Sequence, residues 1–125
     1  MVRSGSSKSA GDRAEALALA HLQRHGLQLV ERNYRVARGP HARGGEVDLI
    51  LRDPAGTLVF VEVRARAGVE HGGASASIDR RKRERIVFAA QHYLLRYRAP
   101  PPCRFDVVAI DAGALQWLQA AFDGG

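Results

Sequence analysis

Two acids, Asp48 and Glu62, stand in the two halves of what reads as a β-hairpin, and their pairing decides what chemistry the chain can do. Residues 46–52 and 57–66 are rich in β-formers and flank Asp53-Pro54-Ala55-Gly56. A three-residue loop, Pro54-Ala55-Gly56, suits this turn, with Pro at its first position and Gly at its left-handed one. Asp53 then faces Thr57. Leu51 faces Val59, Leu49 faces Val61 and Val47 faces Val63, which makes one face wholly apolar. On the other face Ile50 meets Phe60, Asp48 meets Glu62 and Glu46 meets Arg64. A one-residue slip would mix both faces. The favoured register therefore sets two carboxylates opposite each other. Like charges facing across a ladder repel. Either one carboxyl takes up a proton or a cation sits between them. A hard divalent ion such as Mg²⁺, with oxygen ligands and retained waters, is the simplest cation for such a pair. Beside a basic surface it suggests phosphodiester chemistry, in which the metal activates water and stabilises charge on the phosphate. The competing reading is two ordinary solvated strand acids, or acids paired with nearby arginines.

Other residues fall around this pair. The run Arg80-Arg81-Lys82-Arg83-Glu84-Arg85 opens a helix capped by Asp79. Cations at a helix N-terminus oppose the dipole, whereas its free N–H groups attract anions. A basic cluster there makes more sense with a phosphate nearby; a solvated charged face is the alternative. Glu15 shares a helix face with Ala18, Leu19 and Leu22, which places an acid beside a buried stripe. A solvated acid near the positive end of the helix is the alternative. The five histidines show no metal-ligand spacing. Tyr34, Tyr93, Tyr97 and Trp117 suit core packing better than base stacking. Asp106, inside an apolar strand, is read as the partner of an arginine.

These groups need a scaffold, and the order α-β-β-β-α-β can be read along the chain. Residues 9–25 have helical spacing, with Ala14, Leu17, Ala18, His21 and Leu22 on one side and Gly26 as the stop. Residues 27–36 read as a strand, and residues 39–45 as a loop. The hairpin follows, then a Gly-, Ala- and Ser-rich loop over residues 67–77. The helix from Asp79 to about Arg96 has Ile86, Val87, Ala90, Tyr93 and Leu94 as its stripe. Three prolines end it. Residues 104–110 form another apolar strand, followed by a short element carrying Trp117 and Phe122. The expected class is α/β, a mixed central sheet flanked by helices. Residues 1–8 read as a flexible arm and residues 9–125 as one domain.

The whole chain is consistent with this. It has 125 residues, enough for one domain with a real core. The single cysteine, Cys103, excludes an internal disulfide and a cysteine metal site. No apolar run approaches a membrane span, and the polar start lacks a secretory signal. A cytoplasmic protein with no membrane partner is expected. The formal charge of +6 favours a polyanionic partner, nucleic acid.

Several motifs in combination carry a resemblance. Gly45-Glu46-Val47-Asp48-Leu49-Ile50 and Phe60-Val61-Glu62-Val63-Arg64-Ala65-Arg66 resemble the YraN-like family of small bacterial proteins. Gly11-Asp12-Arg13-Ala14-Glu15-Ala16, Asp79-Arg80-Arg81-Lys82 and Arg104-Phe105-Asp106-Val107-Val108 resemble further motifs of that family. The family is similar to restriction-endonuclease-like nucleases, notably archaeal Holliday-junction resolvases. The resemblance implies a restriction-endonuclease-like core and divalent-metal-dependent cleavage or binding of DNA, branched or structured. Carried over, Glu15 is the helical acid, Asp48 and Glu62 bind Mg²⁺ or Mn²⁺, and the Val63 carbonyl is a further ligand. Arg64 occupies the position of a catalytic lysine, with Lys82 as a substitute. Arg13, Arg80, Arg81, Lys82, Arg83 and Arg85 are the expected nucleic-acid contacts. A homodimer is the expectation from related resolvases. Arginine cannot deprotonate in a protein, so the alternative is an inactive binding or protein-interaction module that kept the fold.

Overall fold

The computed structural model describes residues 6–39, 44–66 and 78–124. The loop expected over residues 67–77, most of that over 39–45, and residues 1–5 of the expected arm lie outside the described residues. The elements run α1 (Ser6–Arg24), β1 (Gln28–Val36), β2 (Gly45–Arg52), β3 (Leu58–Arg66), α2 (Arg80–Leu94), β4 (Cys103–Asp111) and β5 (Ala114–Phe122). This is the expected order with a full strand added at the end. Helix α1 begins at Ser6, three residues before the expected start at Ser9.

The strands form one mixed sheet in the order β1-β2-β3-β4-β5, antiparallel except for the β3–β4 pair. The parallel pair requires a crossover, and α2 supplies it. Each face of the sheet carries one helix. Ala14, Ala18 and Leu22 of α1 pack on Leu49, Leu51, Val59 and Val61. Ile86, Ala89, Ala90 and Tyr93 of α2 pack on Ile50, Leu58 and Phe60. Leu17, expected in the α1 stripe, is 57% exposed, because the buried row runs strictly at intervals of four through residues 14, 18 and 22. Each large side chain buried this way contributes roughly 1.5–3 kcal/mol. Among the described residues no helix is long and apolar enough to cross a membrane.

The ends of the elements are fixed by local chemistry. Gly26, at φ +91°, ends α1, and the amides of Gly26 and Leu27 return to the carbonyls of Gln23 and Leu22. The Asp79 carboxylate accepts the Lys82 amide at 2.8 Å and starts α2. The hairpin turn has the expected three-residue loop. The Asp53 amide donates to the Thr57 carbonyl at 2.9 Å, and Gly56 takes φ +94°.

The expected register holds near the turn: Leu51 faces Val59, Ile50 faces Phe60 and Leu49 faces Val61. Beyond Leu49 the strand departs from simple alternation. Val47 was expected beside Leu49, but it packs with Ile50 and the α2 side chains, whereas Leu49 packs with α1. The face therefore changes between residues 47 and 49, with Asp48 at the change. Opposite it, β1 contains Asn33 at φ +52° between Arg32, which faces Leu49, and Tyr34, which faces Val47. Asparagine is among the few side chains that accept this conformation.

Candidate functional site

The change of face at Asp48 is what builds the site. Asp48 accepts the Val63 amide through Oδ2 at 2.8 Å, so a side chain takes up a backbone donor just beyond the last paired residues. Glu62 continues the row of Leu58 and Phe60 toward α2, and only 3% of it is exposed. The two carboxyls meet side chain to side chain between the strands.

Cations close the site from two directions. Lys82, half-buried on the first turn of α2, puts Nζ 3.3 Å from Glu62 Oε2. Arg64, two residues along β3, puts Nη1 3.8 Å from the same oxygen. Both charges act on Oε2. Glu62 Oε1 is buried with no hydrogen-bond partner. An unpaired buried carboxylate oxygen is costly.

Proton affinities follow from this arrangement. Burial, then the charge of Asp48, pushes Glu62 up to about 8, against the pull of Lys82. Burial also raises Asp48, opposed first by the Val63 amide. Glu15 is raised by burial and by the charge of Asp48, and is held back by Arg32 and a hydrogen bond from Asn33. Asp48 thus feels Glu15 from the α1 side and Lys82 from the α2 side.

The sequence-predicted residues divide accordingly. Asp48, Glu62, Arg64 and Lys82 converge, and Val63 fastens Asp48 through its amide. Glu15 lies within the field of Asp48, yet among the described residues no three His, Cys, Asp or Glu side chains gather as a metal group. The predicted facing of Glu46 with Arg64 is corrected. Glu46 faces Arg35 of β1 and pairs with it at 3.9 Å and with Arg85 at 3.5 Å. The regular ladder needed to set Glu46 opposite Arg64 stops before it reaches them. Arg85 thereby ties α2 to β2. Arg13, Arg80, Arg81 and Arg83 are exposed, and Arg80 pairs with Glu84 at 3.3 Å. Asn33 and Arg32 were missed, although an asparagine inside a strand is a signal for a left-handed residue.

Two carboxylates and one buried oxygen without a partner suit a hard divalent ion, while Lys82 and Arg64 stay at the other oxygen of Glu62. Mg²⁺ commonly takes only one or two carboxylates and completes its shell with waters and phosphate oxygens. The donor set fits such an ion, with no third side-chain ligand required.

Comparison with known sequences supports the pattern of motifs. The profile of the Uncharacterised protein family UPF0102 matches residues 14–110. The chain belongs to the UPF0102 family. It is 63% identical to a UPF0102 protein of Methylibium petroleiphilum over 117 residues, covering 94% of this chain and 96% of that one. It is 62% identical to a UPF0102 protein of Albidiferax ferrireducens, covering 95% and 91%. A UPF0102 protein of Paracidovorax citrulli is also 62% identical, covering 98% and 89%. The family match confirms the YraN-like assignment, and its span takes in both hairpin acids and Lys82 of this UPF0102 protein.

Proposed function

We propose that this protein is a divalent-metal-dependent nuclease-like enzyme acting on DNA. The observation that carries the reading is Glu62 Oε1, buried without a partner beside a second carboxylate while two cations flank the other oxygen. Asp48 and Glu62 would hold Mg²⁺ or Mn²⁺, with the Val63 carbonyl as a further ligand. When bound, the ion would supply Lewis-acid stabilisation of charge on the phosphate. The protein's own groups do the rest. The Val63 amide fixes Asp48 in place. Lys82 presents an ammonium that neutralises charge developing on a phosphate at this point. Arg64 offers a guanidinium that can grip a phosphate with two hydrogen bonds. Glu15 orients water from the α1 side. The exposed Arg80, Arg81 and Arg83, with Arg13, hold flanking phosphates.

A second reading has its own support. Lys82 and Arg64 already lie against Glu62 Oε2, and Arg64 stands where a lysine is usual. A protein that kept the fold and binds nucleic acid without cutting would look the same in these respects.

The test uses purified protein with Mg²⁺ or Mn²⁺ on single-stranded, duplex and four-way-junction DNA, beside Asp48→Ala and Glu62→Ala. Metal-dependent cleavage absent from both variants is expected. Binding that ignores metal, with no product from any substrate, would favour the second reading.

A further inference from the structure

Helix α2 carries Glu84, Val87, Phe88 and Gln91, which the cleavage reading does not use, next to Arg80 and Arg83, which it gives to flanking phosphates. Arg80, Glu84, Val87 and Gln91 fall on one stripe at helical spacing, with Phe88 beside them. With the end of β1 and the residues after β5 they wall an open groove of about 580 Å³, lined by Arg38, Arg80, Arg83, Phe88, Gln91 and Phe122 among others. A neighbouring cavity of about 470 Å³ shares Arg38 and Phe88 and adds Arg81. The Arg38 guanidinium lies 4.4 Å from the centroid of the Phe88 ring.

The composition narrows the occupant. Three guanidiniums line the larger groove, but Glu84 and Asp123 line it too. A plain phosphate clamp has no use for the two aromatic rings or the two acids. An acidic peptide would use the guanidiniums and leave the aromatic rings, the Gln91 amide and the two acids without a role. A nucleotide meets all the groups at once. Its base offers a π-face to the planar Arg38–Phe88 pair. Its hydrogen-bonding edge can meet the Gln91 amide, and the Asp123 carboxylate accepts from an exocyclic amine. Its phosphate suits Arg80 and Arg83. The groove's volume lies within the usual range of small-ligand sites, roughly 300–1,000 Å³. Bases stacked inside a duplex cannot present themselves this way.

We propose that this groove takes one unpaired nucleotide of the substrate. The inference rests on the nucleic-acid reading above and narrows its substrate class. Arg83 lies on the same first turn of α2 as Lys82, the residue that reaches Glu62. The preferred substrate then carries an unpaired base in addition to the phosphate under attack. A fully paired four-way junction does not offer one.

The test measures binding by fluorescence anisotropy with the full chain in EDTA, so that cleavage plays no part. The probes are a blunt duplex, the same duplex with a short cytosine tail, and that duplex with an abasic tail. The cytosine tail is expected to tighten binding about tenfold, and the abasic tail to lose most of that gain. Arg38→Ala and Gln91→Leu should abolish the gain while leaving blunt-duplex affinity within about twofold. Polyglutamate should not displace the tailed probe. Equal affinity for blunt and tailed duplex would overturn the inference, as would an equal loss on both in Arg38→Ala or displacement by polyglutamate. Binding of none of the probes would sink the nucleic-acid reading with it. Tail-dependent binding by a protein that cuts nothing would leave this inference standing and remove only the cleavage.

Discussion

Two buried acids sit on adjacent strands of the sheet and face opposite ways. Asp106 of β4 lies opposite Val61, and Glu62 of β3 lies opposite Val107. Asp106 is completely buried and fully answered. Arg104 Nε donates to both of its oxygens at 3.1 and 3.2 Å, Trp117 Nε1 donates at 2.9 Å, and the Ala120 amide donates at 2.9 Å. Arg104 also reaches Asp53 at 3.2 Å. Glu62 is nearly as buried, yet it has one oxygen with no partner and a second carboxylate beside it. Burial alone therefore says little about function. What separates a structural acid from a working one is whether its lone pairs are already taken.

Substitution should split the two sharply. Asp106→Ala would leave Trp117 Nε1, the Ala120 amide and Arg104 Nε without their acceptor, with Arg104 held, among the described residues, only by Asp53. A loss of about 3–5 kcal/mol is expected from denaturant unfolding. A change under 1 kcal/mol would show that β5 does not depend on this acid. Glu62→Gln keeps the shape and removes the charge. Cleavage of DNA with Mg²⁺ should fall by about a hundredfold or more, with the unfolding midpoint held or raised at pH 8. A variant that unfolds like Asp106→Ala would erase the distinction.

The raised proton affinity of Glu62 sharpens the contrast through pH. Its folded value of about 8 lies above the ordinary 4.5. The folded protein therefore holds a proton that the unfolded chain has released. This contribution is complete below about pH 4.5 and is lost as pH rises through 8, on the order of a few kcal/mol in metal-free protein. Unfolding measured in EDTA should show falling stability across that window, and Glu62→Gln should flatten the slope. Added Mg²⁺ should stabilise most at the alkaline end, where no proton competes. The smallest effect is expected for Lys82→Met, which removes the cation 3.3 Å from Glu62. Single-turnover cleavage should drop about tenfold, with the fold unchanged. An unaltered rate would leave Arg64 as the cation that matters.

Much of this contrast could be read in the sequence, and the rest had a physical reason to be hidden. The register near the turn follows from Pro54 and Gly56, because turn chemistry and side-chain alternation agree there. The order of elements follows from helical and strand periodicity. Asp106 in an apolar strand is expected to pair with an arginine, and the structure supplies Arg104. The change of face at Asp48 was not legible. It depends on Asn33 in a different strand and on a carboxylate taking the place of a ladder bond, and neither enters a period-two pattern. The misplacement of Glu46 opposite Arg64 follows from the same cause. Lys82 was legible as part of a basic run, but its arrival at Glu62 depends on how α2 lies across the sheet.

That lie is set by Gly45. A methyl group at this position would come within 2.4 Å of the Arg85 carbonyl and 2.8 Å of the Ala89 amide. The bare backbone thus serves as a depth stop, and it is also the first residue of the strand that carries Asp48. One hydrogen atom in place of a side chain gauges the distance between the strand bearing the acids and the helix bearing the lysine. Changing Gly45 would leave every reactive group in the molecule and put the jaws out of alignment.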